Sequence, residues 1–247
     1  MQPDEIQHLW TTPPTAPTLR DGEVHVWSVS LQASAPALEG LRDILSTDEL
    51  VRCQRSPLAQ EENRFIAGRG ALRQILAGYL NSHPAAVQFA YGHAGKPYLV
   101  NAPRDIRFNV SHSGDLALIA LSLEHEIGID VEFICDMPEM TEIVSRFFPE
   151  SAKAEFFSAQ PAERLSTFYK CWTEKEAISK CTGVGITEEE PLSHDGITLM
   201  PLSPAIGYAA SLAMLGSGLN VRAWRWHRAL ANVVTAHADL AATGIFL

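Results

Sequence analysis

The sequence predicts a mixed α/β protein made of two similar units. Strand-like and helix-like segments alternate along its 247 residues, and a long helix followed by turns and strands occurs twice, in residues 61–122 and in residues 161–238. Identity between these two segments is negligible, so only the order of elements is repeated. We expect the joint near residues 122–126, which gives an N-terminal half of residues 1–124 and a C-terminal half of residues 125–247. Each half is long enough to bury a core.

The composition excludes several classes of protein. Hydrophobic residues make up 46% of the chain and charged residues 19%, as in ordinary globular proteins. The net charge of −10 argues against non-specific nucleic-acid binding. No apolar run approaches the roughly 18 residues of a membrane span, and the polar, proline-rich start is unlike a signal peptide. The four cysteines lack the spacing of a zinc site. We therefore expect a cytoplasmic protein with reduced thiols that binds neither nucleic acid nor membranes.

The first elements of the chain follow from residue type and spacing. Residues 23–31 are rich in β-branched and aromatic side chains, which predicts a strand. A helix is predicted to begin at Ser46 or Thr47, with two acidic residues in its first turn and Arg52 further along. A longer helix over residues 61–80 carries Arg64. Most helical arginines are solvated, so neither arginine indicates a site when it is taken alone.

Two polar turns are predicted in the middle of the chain. Residues 91–97 form a glycine-rich turn that ends in Lys96, and the proline that follows excludes a Walker phosphate-binding loop. Residues 108–115 precede an apolar strand over residues 116–122, and they form a turn that can present Ser111 and His112 to a ligand. A purely structural turn remains the alternative, because no GxSxG elbow accompanies this Ser-His pair.

An acidic strand follows at residues 127–133 (IGIDVEF). Because strand side chains alternate between two faces, Asp130 and Glu132 share the face opposite to the apolar residues. Adjacent carboxylates repel each other and resist burial. They must face water, share a proton or hold a cation, and an edge strand with a solvated acidic face is the simplest alternative.

The second informative helix is predicted within residues 161–185. Its aromatic stripe, which ends at Trp172, continues one turn later with Glu176 and one turn further with Lys180. A carboxylate on such a stripe needs a cation, and a local pair between Glu176 and Lys180 would also satisfy it. A short amphipathic helix is predicted before it at residues 142–148. After it, residues 220–227 and 232–238 are predicted to form a β-hairpin.

Taken together, the polar residues indicate a class of chemistry. Asp130, Glu132 and Glu176 are hard oxygen ligands of the kind that suits Mg²⁺, which shares its coordination with substrate phosphates. Basic residues from separate segments suit a ligand with several phosphates; they are Arg52, Arg64, Lys96, His112 and Lys180. The residues alone therefore predict Mg²⁺-assisted chemistry on a polyphosphate or pyrophosphate.

Three longer motifs carry a family resemblance. FNVSHSGD, IGIDVE and FYKCWTEKEAISKCTG occur in that order, together with Gly-Lys-Pro at residues 95–97 and the spacing of Arg64, Gly68 and Arg73. They resemble the 4′-phosphopantetheinyl transferases of the surfactin-synthetase-activating (Sfp) type. The resemblance extends from residue 46 to the end of the chain.

The resemblance implies a fold and a reaction. The family has two α/β halves related by a pseudo-twofold axis, with coenzyme A and Mg²⁺, or Mn²⁺ in its place, bound between them. Its members transfer the phosphopantetheine arm of coenzyme A to a serine of an acyl or peptidyl carrier protein and release 3′,5′-ADP. Members of this length are often monomers, so we expect a monomer.

The resemblance also implies residue roles. Asp130, Glu132 and Glu176 match the metal-binding acids, and Lys180 would stabilise the departing 3′,5′-ADP. Glu176 is also the candidate general base toward the carrier serine, and the sequence does not choose between its two roles. The positions that match contacts to the phosphates or adenine end of coenzyme A are Arg52, Arg64, Lys96, Ser111, His112 and Lys180.

The sequence departs from the family pattern at two positions, and it also predicts a docking surface for the carrier protein. Glu49 stands where some members have a lysine near the nucleotide's phosphate, and Phe65 replaces a small hydroxyl residue of some relatives. Because carrier proteins are usually acidic and this chain is acidic too, we expect a local basic or apolar docking patch around Phe147 and Phe148.

Two other classes of function remain. An Mg²⁺-dependent nucleotide pyrophosphate hydrolase would use the same acids without a carrier protein. A non-catalytic module could bind coenzyme A or a carrier protein, although it would have no evident need for three acids and Lys180.

Overall fold

The computed structural model describes residues 10–55, 58–92, 95–183 and 195–227, and it confirms the mixed α/β fold. The helices are α1 Ala35–Arg42, α2 Thr47–Cys53, α3 Ala59–Leu80, α4 Met140–Phe147, α5 Glu150–Ser158 and α6 Arg164–Thr182. The strands are β1 Trp10–Thr11, β2 Glu23–Ser30, β3 Phe89–Tyr91, β4 Pro97–Leu99, β5 Ile106–Ser113, β6 Leu116–Leu123, β7 Ile127–Phe133, β8 Ile197–Leu202, β9 Tyr208–Leu215 and β10 Asn220–Arg225. Within this described part, none of the helices is both long and apolar enough to cross a membrane.

The larger sheet has the order β1-β10-β2-β6-β5, and α3 packs against it. Strand β10 lies parallel to β2 on one side and to β1 on the other, whereas β2, β6 and β5 are antiparallel neighbours. A strand from the C-terminal part of the sequence is therefore inserted into the sheet of the N-terminal part. The predicted strand at residues 220–227 is confirmed over β10, and its predicted hairpin partner at residues 232–238 lies outside the described residues.

The smaller sheet has the order β7-β9-β8, with antiparallel pairing throughout. Helix α6 packs directly on β7 and β9. The approach is closest at Gly128, where a Cβ atom would lie 2.0 Å from the carbonyl oxygen of Ala177. This glycine is thus required by main-chain contact, and it holds the acidic strand against the helix that carries Glu176 and Lys180.

Local signals in the sequence explain most element boundaries. Helix α2 begins with a capping box in which the Glu49 carboxylate accepts a hydrogen bond from the main-chain N–H of Ser46 at 3.0 Å. Helix α6 ends at Gly183, whose φ of 73° is in the left-handed region that glycine adopts without strain. The predicted helix over residues 142–148 is present as α4, and α5 follows it where we expected no separate element.

One boundary prediction was wrong. Ser111 and His112 lie in β5 rather than in a turn, and only Gly114 and Asp115 connect that strand to β6. The run of Asn, Ser, His and Gly suggested a loop, but alternation places Asn109, Ser111 and Ser113 on one face of an extended strand.

That face of β5 joins the two sheets. The main-chain N–H groups of Ile129 and Phe133 in β7 donate to the side chains of Asn109 and Ser113, at 2.8 Å and 3.0 Å. Side chains of β5 thus replace the main-chain partners that a neighbouring strand would supply. The arrangement fixes β7, and with it the acidic residues, at the seam between the sheets.

Candidate functional site

The site is centred on Asp130, in the middle of β7. Only 2% of this residue is exposed, so it does not face water as an edge-strand carboxylate would. Its Oδ1 accepts hydrogen bonds from the Lys180 ammonium at 2.6 Å and from the Ser111 hydroxyl at 2.8 Å. Its Oδ2 is buried and has no hydrogen-bond partner among the described residues. A buried carboxylate oxygen without a donor is costly, and it marks a place where a further cation fits.

Glu132 lies beside Asp130 on the same face of β7 and accepts a hydrogen bond from the Ser113 hydroxyl at 2.7 Å. Burial raises the pKa of Glu132, and the charge of Asp130 raises it further. Hydrogen bonds from Ser113 and Trp172 and the charge of Lys180 oppose that rise in pKa. The alternation predicted for the strand therefore does bring the two carboxylates together.

Glu176 approaches these acids from α6. Burial raises its pKa, and so do the charges of Asp130 and Glu132, whereas Lys180 and Lys175 act in the opposite direction. A carboxyl group with a raised pKa is a better proton acceptor than an exposed one. The i,i+4 spacing allows an ion pair between Lys180 and Glu176. In the structure, the Lys180 ammonium instead forms its ion pair with Asp130.

Asp130, Glu132 and Glu176 are the residues that could hold a divalent cation, if a substrate supplied part of its coordination. Among the described residues, no three His, Cys, Asp or Glu side chains converge closely enough to form a ready-made metal site. Mg²⁺ does not need one, since it keeps several waters and is completed by substrate phosphates. The partnerless Oδ2 of Asp130 and the mutual repulsion of Glu132 and Glu176 with Asp130 are the features that such a cation would relieve.

A cavity of about 550 Å³ opens next to this centre, between α3, α2 and the end of β5. Arg52, Arg64 and His112, three of the predicted nucleotide contacts, line it. Apolar side chains, among them Phe65 and Val110, form much of the remaining wall, and Glu61 and Ser113 also line it. A flat aromatic base and a phosphate group suit this combination of an apolar wall and cationic side chains.

The charges around the cavity are partly engaged within the protein. Arg64 forms ion pairs with Asp115 and Glu61, both at 2.7 Å, and these contacts raise its pKa. Burial lowers the pKa of His112, and the charge of Lys180 lowers it further, so its imidazole is neutral near pH 7. A neutral imidazole still has one N–H that can donate a hydrogen bond to an anion.

Lys96 lies elsewhere. Its ammonium donates to the main-chain oxygen of Lys180 at 2.8 Å and of Ile127 at 3.3 Å, and it does not line the cavity. It thus connects the start of β7 to the end of α6. The sequence predicts a phosphate contact at this lysine, and the structure places its ammonium against the main chain of Lys180.

Glu49 and Phe65 are the two positions at which the sequence departs from the family pattern, and both make defined contacts in the structure. Glu49 is buried and forms an ion pair with Arg73 at 2.7 Å, so it stabilises the packing of α2 on α3. Phe65 lines the cavity and lies under the guanidinium of Arg52, which is 5.8 Å from the centroid of the ring.

Arg69, for which the sequence predicts no role, also lines the cavity. The separation of five residues puts Arg69 about 140° from Arg64 around the helix axis, so helical spacing gives no signal that links the two.

The predicted docking patch is only partly at the surface. Phe148 is buried and stacks on Phe168 with the ring centroids 5.7 Å apart. Phe147 is half-buried and lies near two cations, with the Arg146 guanidinium 5.1 Å and the Lys175 ammonium 5.6 Å from its ring centroid. Of the two phenylalanines, Phe147 is the one that reaches the surface, beside exposed Arg146, whereas Lys175 is buried.

The geometry supports phosphoryl chemistry. Buried carboxylates, a lysine ammonium held among them and an adjacent cavity with basic walls can bind a nucleotide whose pyrophosphate reaches the acids. Glu176 supplies a carboxylate of raised pKa at the same place. This arrangement can accept a proton from an attacking hydroxyl while the charge of the leaving group is offset.

Comparisons with known proteins agree with this chemistry. The family model of the 4′-phosphopantetheinyl transferase superfamily matches residues 126–236, and the model of the 4′-phosphopantetheinyl transferase N-terminal region matches residues 30–124. The chain is 38% identical to the 4′-phosphopantetheinyl transferase HetI of Nostoc over 202 residues, which cover 81% of this chain and 84% of that protein.

Two further relatives are similar over shorter stretches. The 4′-phosphopantetheinyl transferase AcpT of Escherichia coli K12 is 32% identical over 156 residues, which cover 63% of this chain and 70% of AcpT. The Synechocystis protein slr0495, whose name reads "putative 4′-phosphopantetheinyl transferase", is 40% identical over 153 residues, which cover 62% of each chain.

Proposed function

Because this chain belongs to the 4′-phosphopantetheinyl transferase superfamily, we propose that Asp130, Glu132, Glu176 and Lys180 form its catalytic centre. The protein transfers the 4′-phosphopantetheine arm of coenzyme A to a serine of an apo carrier protein and releases 3′,5′-ADP. The observation that carries the proposed centre is Asp130, whose Oδ1 holds Lys180 and whose buried Oδ2 has no partner among the described residues.

Asp130 and Glu132 would hold Mg²⁺, or Mn²⁺ in its place, and Glu176 would lie beside the cation, where a role as third ligand competes with its role as base. When bound there, the cation supplies positive charge against the oxygens of the coenzyme A pyrophosphate. Support for this assignment comes from the partnerless oxygen of Asp130 and from the raised pKa values of Glu132 and Glu176.

Lys180 and Glu176 have different roles in the transfer. The Lys180 ammonium, which Asp130 and Ser111 orient, donates to the pyrophosphate and stabilises the phosphate of the leaving 3′,5′-ADP. Glu176 accepts the proton of the carrier serine as its oxygen forms a bond to the transferred phosphorus. Ser111 acts through Asp130 and Lys180, to both of which it is hydrogen-bonded.

The nucleotide end of coenzyme A occupies the neighbouring cavity in this proposal. Arg52, Arg64 and His112 contact its phosphate and adenosine, in keeping with their positions on the cavity wall. Lys96 supports the site indirectly, since its ammonium binds the main-chain oxygen of Lys180.

Membership in the family also leads us to propose how the two halves of the chain are used and which partners the protein has. We assign the coenzyme A contacts mainly to an N-terminal half, residues 1–124, and the acids to a C-terminal half, residues 125–247, in one chain of the Sfp type. The carrier is an acyl or peptidyl carrier protein that docks beside Phe147. The protein acts as a cytoplasmic monomer, without nucleic acid or membrane partners.

The role of Asp130 is tested by replacing it with Asn. Asp130→Asn keeps the shape but removes the charge, and we expect transfer of phosphopantetheine to an apo carrier to fall by about a hundredfold or more at saturating Mg²⁺. Asp136→Asn, at an exposed aspartate close by in sequence, is the matched control and should retain wild-type turnover. Wild-type turnover in Asp130→Asn would exclude this acid from the centre.

A further inference from the structure

Ser113, the last residue of β5, makes two hydrogen bonds to adjacent residues of β7. Its hydroxyl donates to the Glu132 carboxylate at 2.7 Å and accepts the main-chain N–H of Phe133 at 3.0 Å. A serine hydroxyl has a single proton to donate. Because the backbone of β7 fixes the N–H on one side of the oxygen, this proton is directed to the carboxylate on the other side.

The same pattern occurs one step earlier along the two strands. The Ser111 hydroxyl donates to Asp130 at 2.8 Å and lies 3.4 Å from the main-chain nitrogen of Val131. Residues two apart on a strand share a face, so Ser111 and Ser113 of β5 match Asp130 and Glu132 of β7. Each acid thus has its own hydroxyl donor from the neighbouring sheet.

The two acids differ in their other donors. Asp130 also accepts a hydrogen bond from the Lys180 ammonium at 2.6 Å. Among the described residues, the hydrogen bonds that Glu132 accepts come from the Ser113 hydroxyl and from Trp172 of α6, and both donors are neutral. The orientation of Glu132 therefore depends more on its serine than that of Asp130 does.

We propose that Ser113 is a positioning residue that holds the Glu132 carboxylate in the orientation that binds the divalent cation. This inference rests on the proposed function, in which Asp130 and Glu132 hold Mg²⁺. A glutamate side chain that is free to rotate loses conformational entropy when it binds a cation, whereas a side chain already held by a hydrogen bond loses less. Donors to a ligating carboxylate therefore contribute to metal affinity without touching the metal.

This role is separable from a role in folding. Phe133 is 46% exposed, so water can replace the serine oxygen as the partner of its main-chain N–H when Ser113 is changed to alanine. The other lost hydrogen bond belongs to Glu132, which is only partly buried. Ser113→Ala should consequently fold, with a urea midpoint close to that of the wild type.

The test measures metal binding without turnover. Mn²⁺ is titrated into protein saturated with coenzyme A, in the absence of a carrier, and free Mn²⁺ is followed by electron paramagnetic resonance, with coenzyme A alone as background. Ser113→Ala should bind Mn²⁺ about tenfold more weakly than the wild type. Ser113→Thr keeps the hydroxyl on a residue that suits a strand, and it should keep most of the affinity. Ser158→Ala, at an exposed serine of α5, is the control and should match the wild type.

A double-mutant cycle shows whether Ser113 acts through Glu132. In a Glu132→Gln background, Ser113→Ala should change Mn²⁺ affinity by less than about twofold, because the carboxylate that it orients is already gone. Steady-state kinetics give a further readout. Ser113→Ala should raise the Mg²⁺ concentration needed for half-maximal turnover, while kcat at saturating Mg²⁺ and the KM for coenzyme A change little.

Three results would overturn the proposal. They are equal Mn²⁺ affinity in Ser113→Ala and wild type, a loss in Ser113→Thr as large as in Ser113→Ala, and an undiminished effect of Ser113→Ala in the Glu132→Gln background. Failure of the proposed metal centre itself would be seen differently, since wild-type protein with coenzyme A would then bind no more Mn²⁺ than coenzyme A alone.

Discussion

Lys180 binds Asp130 rather than Glu176 because the two carboxylates are buried to different degrees. Asp130 lies in the middle of β7 beneath α6, and a buried charge without a partner is strongly destabilising. Glu176 lies on the same helix as Lys180 and is less buried. The lysine therefore compensates the deeper charge, and Glu176 is left with a raised pKa. This difference is the basis for the proposal that Asp130 acts in binding and Glu176 as the proton acceptor.

The proposed base is tested by Glu176→Gln. The amide keeps the size of the side chain but accepts no proton, so we expect kcat to fall by about a hundredfold or more while the affinity for coenzyme A changes little. The control is Glu174→Gln on the same helix, where the carboxylate lies 3.8 Å from the Lys170 ammonium. Steady-state kinetics and coenzyme A binding measure both effects, and equal losses in kcat and affinity would assign Glu176 to binding instead.

Among the elements, β7 and α6 determine the geometry of the acids. The strand presents Asp130 and Glu132, and the helix presents Glu176 and Lys180, so the spacing between the two elements fixes the distances within the site. Gly128 permits that spacing, because any side chain there would meet the main chain of Ala177 and Cys181.

Gly128→Ala should therefore destabilise the protein by about 3 kcal/mol or more, since its Cβ would lie 2.0 Å from one main-chain atom and 2.4 Å from another. Urea denaturation measures this change. Gly92→Ala is the control, because its nearest neighbour would be 3.7 Å away and the expected change is within about 1 kcal/mol. Equal stability of the two variants would contradict the close packing of β7 on α6.

The molecule as a whole is held together partly by a polar cluster around His25. Its ring lies between Tyr79 of α3, whose hydroxyl is 2.7 Å from Nδ1, and Trp224 of β10, with ring centroids 4.6 Å apart. Glu23 and Arg222 flank it. The cluster thus connects β2 to elements from both parts of the sequence.

This cluster predicts an acid-sensitive stability. Burial lowers the pKa of His25 to about 4, against a partial opposing effect of Glu23. Because the unfolded chain takes up the proton near pH 6.5, stability is full above that pH and falls as the pH approaches 4. We expect His25 to account for a loss of about 2 kcal/mol between pH 7 and pH 5. Urea denaturation of His25→Gln at both pH values should show a smaller loss than wild type, whereas exposed His227→Gln should match wild type; equal losses in all three proteins would contradict the lowered pKa.

Local patterns allowed much of this architecture to be predicted. Alternation in residues 127–133 placed Asp130 and Glu132 on one face, and helical spacing placed Glu176 and Lys180 on the aromatic helix. Both elements are present as β7 and α6. Such patterns succeed because they depend on neighbours within a few residues.

The remaining features depend on contacts between distant residues. The insertion of β10 beside β2 joins residues about 200 positions apart, and no local signal specifies a parallel partner. The pairing of Lys180 with Asp130 is decided by burial, which spacing on one helix does not reveal. The strand conformation of Ser111 follows from its bonds to β7, although its neighbours favour a turn.

The central claim is that the acidic residues at the seam between the two sheets catalyse phosphopantetheine transfer. Intact-mass spectrometry of an apo carrier protein, incubated with the enzyme, coenzyme A and Mg²⁺, tests it most directly. We predict a mass gain of one phosphopantetheine arm that chelator abolishes and that Asp130→Asn greatly reduces. Release of 3′,5′-ADP without modification of an acyl or a peptidyl carrier would indicate a hydrolase. Binding of coenzyme A without either product would indicate a binding module, and either result would contradict the account.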